Sequence, residues 1–159
     1  MPNLPMHIYL ADQVARQLDR GNIHDHVGSF FLGATAPDIR AMTKWPRERT
    51  HFAPLSVDEI GTGARTMLQL YPELAGNAGL SLETQAFVLG YITHLVADEV
   101  WITSVFRPYF DGDTMVTATE LEAHIWDRAL QLDMDRKTLP EIYILKPAEA
   151  QSCADPGVE

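Results

Sequence analysis

Apolar residues recur every three or four positions along most of this chain, which is the spacing of one face of an α-helix. Pro5 is suited to the first turn of a helix, and Ser56 begins a capping-box motif. Four long helices are therefore predicted, over residues 5–19, 56–71, 81–106 and 116–135. No useful stretch shows the period of two that is typical of a strand. The pattern predicts an all-α, single-domain bundle of roughly five or six helices.

Shorter segments separate these helices. Residues 27–34 are apolar and end where a proline disfavours helical backbone. Residues 40–55 are rich in charge and proline and are predicted to form a long loop. A short helix is expected after Pro140. We expect residues 1–150 to form one domain and residues 151–159 to be a disordered tail. The apolar side of the last long helix is predicted to consist of Leu121, Ile125, Trp126, Ala129, Leu130 and Leu132.

Charge and composition narrow the classes of partner. The chain has 159 residues, and 22 acidic residues against 12 basic ones give a net charge of −10. Such a surface repels nucleic acid and anionic membranes, so nucleic acid is an unlikely partner. The sequence contains no apolar run long enough for a transmembrane segment. It also begins without a secretion signal, and its one cysteine, Cys153, excludes an internal disulfide, so we expect a cytoplasmic protein.

His94 and Asp98 are the most informative pair in the sequence. They are four residues apart in the predicted central helix, so both side chains project from the same face. Gly90, one turn earlier, leaves room on that face for close approach by a neighbouring helix. The surrounding residues are apolar, and burying a carboxylate among them costs roughly several kcal/mol unless a cation offsets the charge. A divalent metal is the simplest such cation.

Two further residues extend this pair into a metal-ligand set. Asp38 follows the short apolar segment, and His51 lies in the polar segment after it. Together with the helical pair they supply two imidazole nitrogens and two carboxylates, which suit zinc and related first-row metals. The spacing of these two residues is not diagnostic by itself. The prediction depends on the fold bringing them to the central helix.

Two other polar motifs have alternative interpretations. His24, Asp25 and His26 contain a His-Asp pair of the kind found in another class of helical metal-dependent phosphohydrolases. They follow a polar Arg-Gly-Asn stretch, so we interpret them as a loop in which Asp25 caps the next helix. Arg47 and Arg49 could bind a phosphate, but charges in a loop are usually solvated, and we predict that here.

Four blocks of the sequence carry a family resemblance. They are residues 5–7, 31–39, 49–52 and 89–98. In this order along the chain they resemble the zinc-dependent phospholipase C family, over roughly residues 5–101. The resemblance implies a helical domain that holds one to three zinc ions, binds phosphate and activates water for phosphodiester hydrolysis. It also implies a substrate that is a small phosphate ester or a phospholipid headgroup.

The family pattern assigns ligands to positions of this chain. By resemblance Asp38, His51, His94 and Asp98 bind one metal, and Asp38 also orients or deprotonates the attacking water. Asp98 is expected to bridge to a second metal, which His7 helps to hold. In the family the amino-terminal residue is a further ligand of that second metal.

The third metal site of the family is only partly matched. The family uses a histidine and then a later histidine followed four residues on by a glutamate. This chain has Glu120 and His124, which share a helical face but stand in the reverse order. We predict both as candidate ligands. The alternative is that they form the polar edge of an amphipathic helix.

These observations favour a metal-dependent, phospholipase C-like phosphodiester hydrolase. One alternative is a nuclease or phosphatase on the same scaffold, although the acidic charge argues against long polyanions. The other alternative is a non-catalytic helical module that contains a structural metal and binds another protein. An open coordination position would distinguish a catalytic metal from a structural one.

Overall fold

The structure is a computed structural model that describes residues 1–18, 21–76, 79–112 and 116–144. Within these ranges no strand is present, and the all-α prediction is confirmed. The α-helices are α1 (Leu4–Leu18), α2 (Gly21–Asp25), α3 (Val27–Thr35), α4 (Arg40–Thr43), α5 (Glu48–His51), α6 (Thr62–Leu70), α7 (Leu82–Trp101), α8 (Arg107–Phe110) and α9 (Glu120–Ile144). Short 3-10 helices cover Ala36–Ile39 and Pro72–Leu74. The predicted tail, residues 151–159, lies outside the described residues.

Helix α7 is the central element of the fold, and α1, α2, α3 and α6 pack against it. Its N-cap is Ser81, whose hydroxyl accepts a hydrogen bond from the backbone N–H of Thr84 at 3.1 Å. A π-helical turn, Ile102–Phe106, follows directly and leads without a break into α8, so the helical path ends at Phe110, four residues later than the predicted end at residue 106. No helix in the described ranges is long and apolar enough to cross a membrane.

The closest helix contact in this part of the fold joins α3 to α7. A Cβ atom on Gly90 would lie 1.9 Å from the carbonyl oxygen of Phe30, and one on Gly33 would lie 2.0 Å from that of Phe87. Only glycine allows two helix backbones to approach this closely. The predicted role of Gly90 is therefore confirmed. The contact also brings the backbone of α3 next to the functional face of α7.

Helix α6 begins later than predicted. It starts at Thr62, so the predicted helix start at the Ser56 capping box is wrong. The buried carboxylate of Glu99 instead accepts hydrogen bonds from the backbone N–H groups of Gly61 and Gly63, the latter at 2.6 Å. A carboxylate at this position satisfies N–H groups that the helix leaves unpaired and complements the helix dipole. The start of α6 is thus fixed by a contact between Gly63 and Glu99, which are 36 residues apart in the sequence.

Helix α9 packs through a face that the sequence pattern does not predict. Its buried residues are Ala123, Asp127, Gln131, Asp135 and Thr138. The predicted apolar side is largely exposed: Leu121, Ile125, Trp126, Leu130 and Leu132. The polar face can be buried because its groups are paired, with Trp101 Nε1 donating to Asp127 at 3.1 Å and Asn3 Nδ2 donating to Asp135 at 2.8 Å. The helix also continues through Pro140, so no separate helix begins there.

The segment predicted as a long loop contains α4 and α5. Each helix ends at a residue with left-handed backbone, Lys44 at φ 56° and Phe52 at φ 58°. The segment is therefore built of two short helical turns, and the second one ends at His51. Before α3, His24 and Asp25 lie in α2 and His26 occupies the N-cap position, so the predicted loop and the predicted cap at Asp25 are both wrong.

Candidate metal centre

Five of the predicted site residues meet at one place in the fold. His7 comes from α1, Asp38 from the 3-10 helix after α3, His51 from the end of α5, and His94 and Asp98 from α7. Four of these residues are almost completely buried, with exposed fractions of 2% or less. The exception is Asp38, whose side chain is 35% exposed. The cluster is thus closed by the protein on every side except that of Asp38.

The spacing of four donors matches the size of a single metal site. Nε2 of His51 lies 3.3 Å from Nε2 of His94 and 3.2 Å from Oδ2 of Asp98. Oδ1 of Asp38 lies 3.8 Å from each of these two nitrogens, and His94 Nε2 lies 3.9 Å from Asp98 Oδ2. Tetrahedral zinc with bonds of about 2.0–2.1 Å places its donors about 3.3–3.4 Å apart. The five measured separations, which join each nitrogen to the other and to both carboxylates, are close to this value or up to about 0.6 Å longer.

Hydrogen bonds on the far side of each ring orient the two imidazoles. Nδ1 of His94 lies 2.8 Å from the carbonyl oxygen of Ala34. A carbonyl only accepts, so we assign the proton of His94 to Nδ1 and a lone pair to Nε2. The hydroxyl of Thr50, 2.9 Å from Nδ1 of His51, provides the matching partner for that ring. Such outer partners are the usual means of orienting a metal-binding histidine.

Electrostatics favour neutral His94 beside ionised Asp98. Burial, the largest cause, together with the neighbouring His7 lowers the pKa of His94 to about 3. Burial alone would raise the pKa of Asp98, but His51 and His7 outweigh it and hold this pKa well below its usual range. An imidazole lone pair therefore faces an anionic carboxylate in a buried space. A cation between them would offset this repulsion.

His7 supplies a further sign that the cluster fits a metal. Its Nε2 lies 3.3 Å from Oδ1 of Asp98, yet neither atom makes a hydrogen bond of acceptable geometry, and both are buried. Buried polar atoms nearly always have a partner, so such orphaned atoms need an explanation. The ring of His7 also stacks on that of His94, with centroids 3.8 Å apart and planes 14° apart. The donor atoms of both rings belong to one cluster with Asp98.

Arg47 belongs to the site, although the sequence predicts a solvated loop charge. It is 6% exposed, and its Nη2 donates to Oδ2 of Asp98 at 3.0 Å. The interpretation is correct only for Arg49, which is exposed and lies over the ring of Trp45 at 3.9 Å. In the sequence, only the spacing of four residues between Arg47 and His51 indicates that Arg47 lies near the site.

Asp38 is the donor that faces the surface. Burial is the largest cause that raises its pKa, and the charge of Asp98 raises it further. The residue lines a cleft of about 670 Å³. The cleft has an apolar wall that includes Leu32, Ile39 and Met42, together with the cationic Arg40 and Arg128. A ligand in this cleft would therefore reach the one accessible donor of the cluster.

Glu120 and His124, the candidate ligands of a third metal, are not brought to this cluster. Both are exposed on α9, and the ring of His124 stacks on Phe106 with centroids 6.0 Å apart. Neither belongs to the groups of possible metal donors that the described residues form. The reason is the orientation of α9, which presents Ala123 and Asp127 to the bundle instead. Glu120 and His124 instead form the polar edge of the helix, which is the alternative that the sequence leaves open.

Comparison with known protein families agrees with the geometry. A family model described as zinc dependent phospholipase C matches residues 6–101, which is more than half of the chain. The chain therefore belongs to the zinc-dependent phospholipase C family. Comparison with curated proteins gives no match, and comparison with solved structures gives none. All five clustered donors lie within the matched residues.

Proposed function

We propose that this protein is a zinc-dependent phosphodiester hydrolase of the phospholipase C type. The proposed metal ligands are Asp38, His51, His94 and Asp98, with His7 beside them. The observation that carries the proposal is the convergence of two imidazole nitrogens that lie 3.3 Å from each other and 3.2–3.9 Å from an oxygen of each carboxylate. Membership of the zinc-dependent family supports zinc as the ion.

The proposed hydrolysis uses a zinc-bound water and Asp38. A bound zinc ion would lower the pKa of a water molecule and neutralise charge on a phosphate oxygen. Asp38 is placed to accept a proton from that water, because it alone of the donors reaches the cleft. The water oxygen bonds to phosphorus while the bond from phosphorus to the alcohol oxygen breaks. Return of the proton to the departing oxygen gives an alcohol and a phosphate monoester.

The partial exposure of Asp38 favours a catalytic site over a structural one. A structural zinc has four protein ligands that close it off, whereas a catalytic zinc keeps an accessible position. Here three proposed ligands are at most 1% exposed, whereas the side chain of Asp38 is 35% exposed on the side of the cleft. A catalytic water would have to join the four protein ligands as a fifth or take the place of Asp38, and Asp38 is the ligand that such a water can reach. This exposure supports hydrolysis, whereas a site closed by all four ligands would be a metal-stabilised binding module.

The cleft favours a phosphate ester that has an apolar part. Leu32, Ile39 and Met42 expose 62%, 48% and 85% of their surface along it. Arg40 and Arg128 add positive charge that suits the phosphate, in a protein whose net charge is −10. A phospholipid or a comparable amphiphilic phosphodiester satisfies both features. A cytoplasmic location stays a prediction from the sequence.

A metal measurement combined with an activity assay tests the proposal. We expect the protein purified without chelator to contain zinc and to hydrolyse an aryl phosphodiester or a choline phospholipid. His94→Ala should lose both properties, because it removes one of four ligands. His124→Ala is the matched control and should keep both, since His124 lies outside the cluster. Activity that survives in zinc-free His94→Ala would refute the proposal.

A further inference from the structure

The two oxygens of Asp98 have different surroundings. Oδ2 lies 3.2 Å from Nε2 of His51 and accepts a hydrogen bond from Nη2 of Arg47 at 3.0 Å. Oδ1 faces only Nε2 of His7, at 3.3 Å, without a hydrogen bond. A carboxylate oxygen has two lone pairs, so Oδ2 can bind one ion while it accepts from Arg47. Oδ1 is then the oxygen that remains for a second ion, on the carboxylate that already faces the guanidinium.

Arg47 is held firmly in this position. It is 6% exposed, and a buried guanidinium is costly unless it is paired. Its backbone carbonyl accepts hydrogen bonds from the N–H groups of Thr50 and His51, at 3.0 Å and 2.8 Å. The arginine and the metal-ligand histidine therefore belong to one helical turn. Nη1 also donates to the sulfur of Met1, so both terminal nitrogens of the guanidinium make a contact, while its Nε is buried without a hydrogen-bond partner.

The donors that remain for a second ion are few. The described side chains form two groups of possible metal donors, His7 with His94 and Asp98, and Asp38 with His51 and His94, so His7 is the one donor outside the proposed ligand set. Nε2 of His94 has a single lone pair and serves one ion only. From these side chains a second ion would thus have one nitrogen and one carboxylate oxygen, so its binding would depend strongly on the charge beside Asp98.

The charge of the site leads to the same conclusion. Two carboxylates balance one divalent ion, and the guanidinium of Arg47 then leaves a net charge of one positive unit. That excess suits an anionic phosphate, whereas a second divalent ion would raise it to three units in a buried space. We propose that Arg47 takes the place of a second metal ion beside Asp98, so that the site holds one tightly bound ion. This inference rests on the proposed function, because it assumes that the cluster binds zinc.

Counting zinc ions by mass spectrometry and by calorimetric titration tests the inference without any assay of activity. The full-length wild-type protein should bind one tight equivalent of zinc per chain. Arg47→Met removes the charge at similar length and should allow a second equivalent at Oδ1 of Asp98 and His7. Adding His7→Ala to Arg47→Met should return the count to one. Arg47→Lys keeps the charge and should bind one equivalent.

Arg49→Met is the matched control, because it removes an exposed arginine two residues away, and it should leave the count at one. Two or more tight equivalents in the wild type would overturn the inference and leave the proposed function intact. An unchanged count of one in folded Arg47→Met would also overturn it. No tight zinc in the wild type would instead refute the proposed function and this inference with it. If Arg47→Met does not fold, a count of two or more in the wild type still overturns the inference.

Discussion

His94 controls the charge of the site at the scale of single residues. Burial lowers its pKa from 6.5 to about 3, so the folded protein resists protonation at a pH where the unfolded chain accepts a proton. Between these two values the unfolded state binds more protons, and the free energy of unfolding falls as the pH falls. The lowered pKa of Asp98 acts in the same direction, in a more acidic range below 3.8.

We therefore predict that the metal-free protein is less stable at about pH 5 than at about pH 7. Urea denaturation of protein stripped of metal measures the difference. His94→Gln should show a smaller loss over this range, because glutamine does not titrate. Equal losses in the two proteins would mean that His94 is not buried in its neutral form.

Glu99 is a second residue whose effect can be measured. Its carboxylate accepts hydrogen bonds from two N–H groups at the start of α6, and Gly63 lies against the carbonyl of His51. Glu99→Gln replaces one acceptor oxygen by an amide that cannot accept, so we expect a loss of about 1–3 kcal/mol in the free energy of unfolding. Chemical denaturation provides the measurement.

Glu83→Gln is the control for this change. Its carboxylate makes an exposed hydrogen bond to Ser29, so the substitution should change the stability by less than about 0.5 kcal/mol. Similar losses for Glu83 and Glu99 variants would contradict the assigned role of Glu99. If α6 loosens as expected in Glu99→Gln, zinc affinity should also fall, since the adjacent His51 loses its support.

Sequence alone identifies these residues to different degrees. The spacing of His94 and Asp98 points directly to a shared helical face, because helical geometry is local. Asp38 and His51 are candidates by residue type, but only the family resemblance implies that they meet the central helix, since nothing local shows it. Arg47 is mispredicted because its neighbours are charged, and its burial depends on Asp98, which lies 51 residues away.

At the scale of elements, the contact between α3 and α7 positions the site. The two backbones touch at Gly33 and Gly90, and the same contact places the carbonyl of Ala34 on Nδ1 of His94. Gly90→Ala would put a Cβ atom 1.9 Å from the carbonyl oxygen of Phe30, so the helices must separate. We predict a loss of stability of about 1–3 kcal/mol or more, as for other overpacked cores.

Gly28, near the start of α3, provides the control for this prediction. A Cβ atom on Gly28 would meet nothing within 4 Å. Gly28→Ala should therefore leave the stability unchanged or raise it by about 0.5–1 kcal/mol, because alanine restricts the unfolded chain. Thermal or chemical denaturation distinguishes the two variants. Equal effects would show that the helices do not approach closely at Gly90.

Helices α6 and α9 show why elements are only partly predictable. Periodicity reveals which residues share a face, but the packing partner decides which face is buried. For α9 the partners are Trp101 and Asn3, which make a polar face compatible with burial. For α6 the capping group is Glu99, on another helix. The local sequence around α6 and α9 indicates neither of these partners. The N-cap of α7, Ser81, depends only on local residues, and it lies where the predicted helix begins.

At the scale of the whole molecule, an acidic protein must attract a phosphate ester to one cleft. The net charge of −10 opposes the approach of anions, so attraction has to come from the zinc site and from the arginines that line the cleft. The apolar wall of the cleft adds a force that does not depend on charge. The two contributions can be separated by comparing substrates that share a phosphodiester but differ in their apolar part.

Met42→Ser separates the contribution of the apolar wall from that of the charged groups. Met42 lines the cleft and is 85% exposed, and covering a side chain of its size is worth about 1.5–3 kcal/mol when burial is complete. We predict that the variant raises the KM for a long-chain phosphatidylcholine roughly tenfold, which corresponds to about 1.4 kcal/mol. Its kinetics on a short aryl phosphodiester should not change.

Leu70→Ser on α6, exposed but outside the cleft, should affect neither substrate. An equal decline on both substrates would mean that Met42 supports the site itself rather than the apolar part of the substrate.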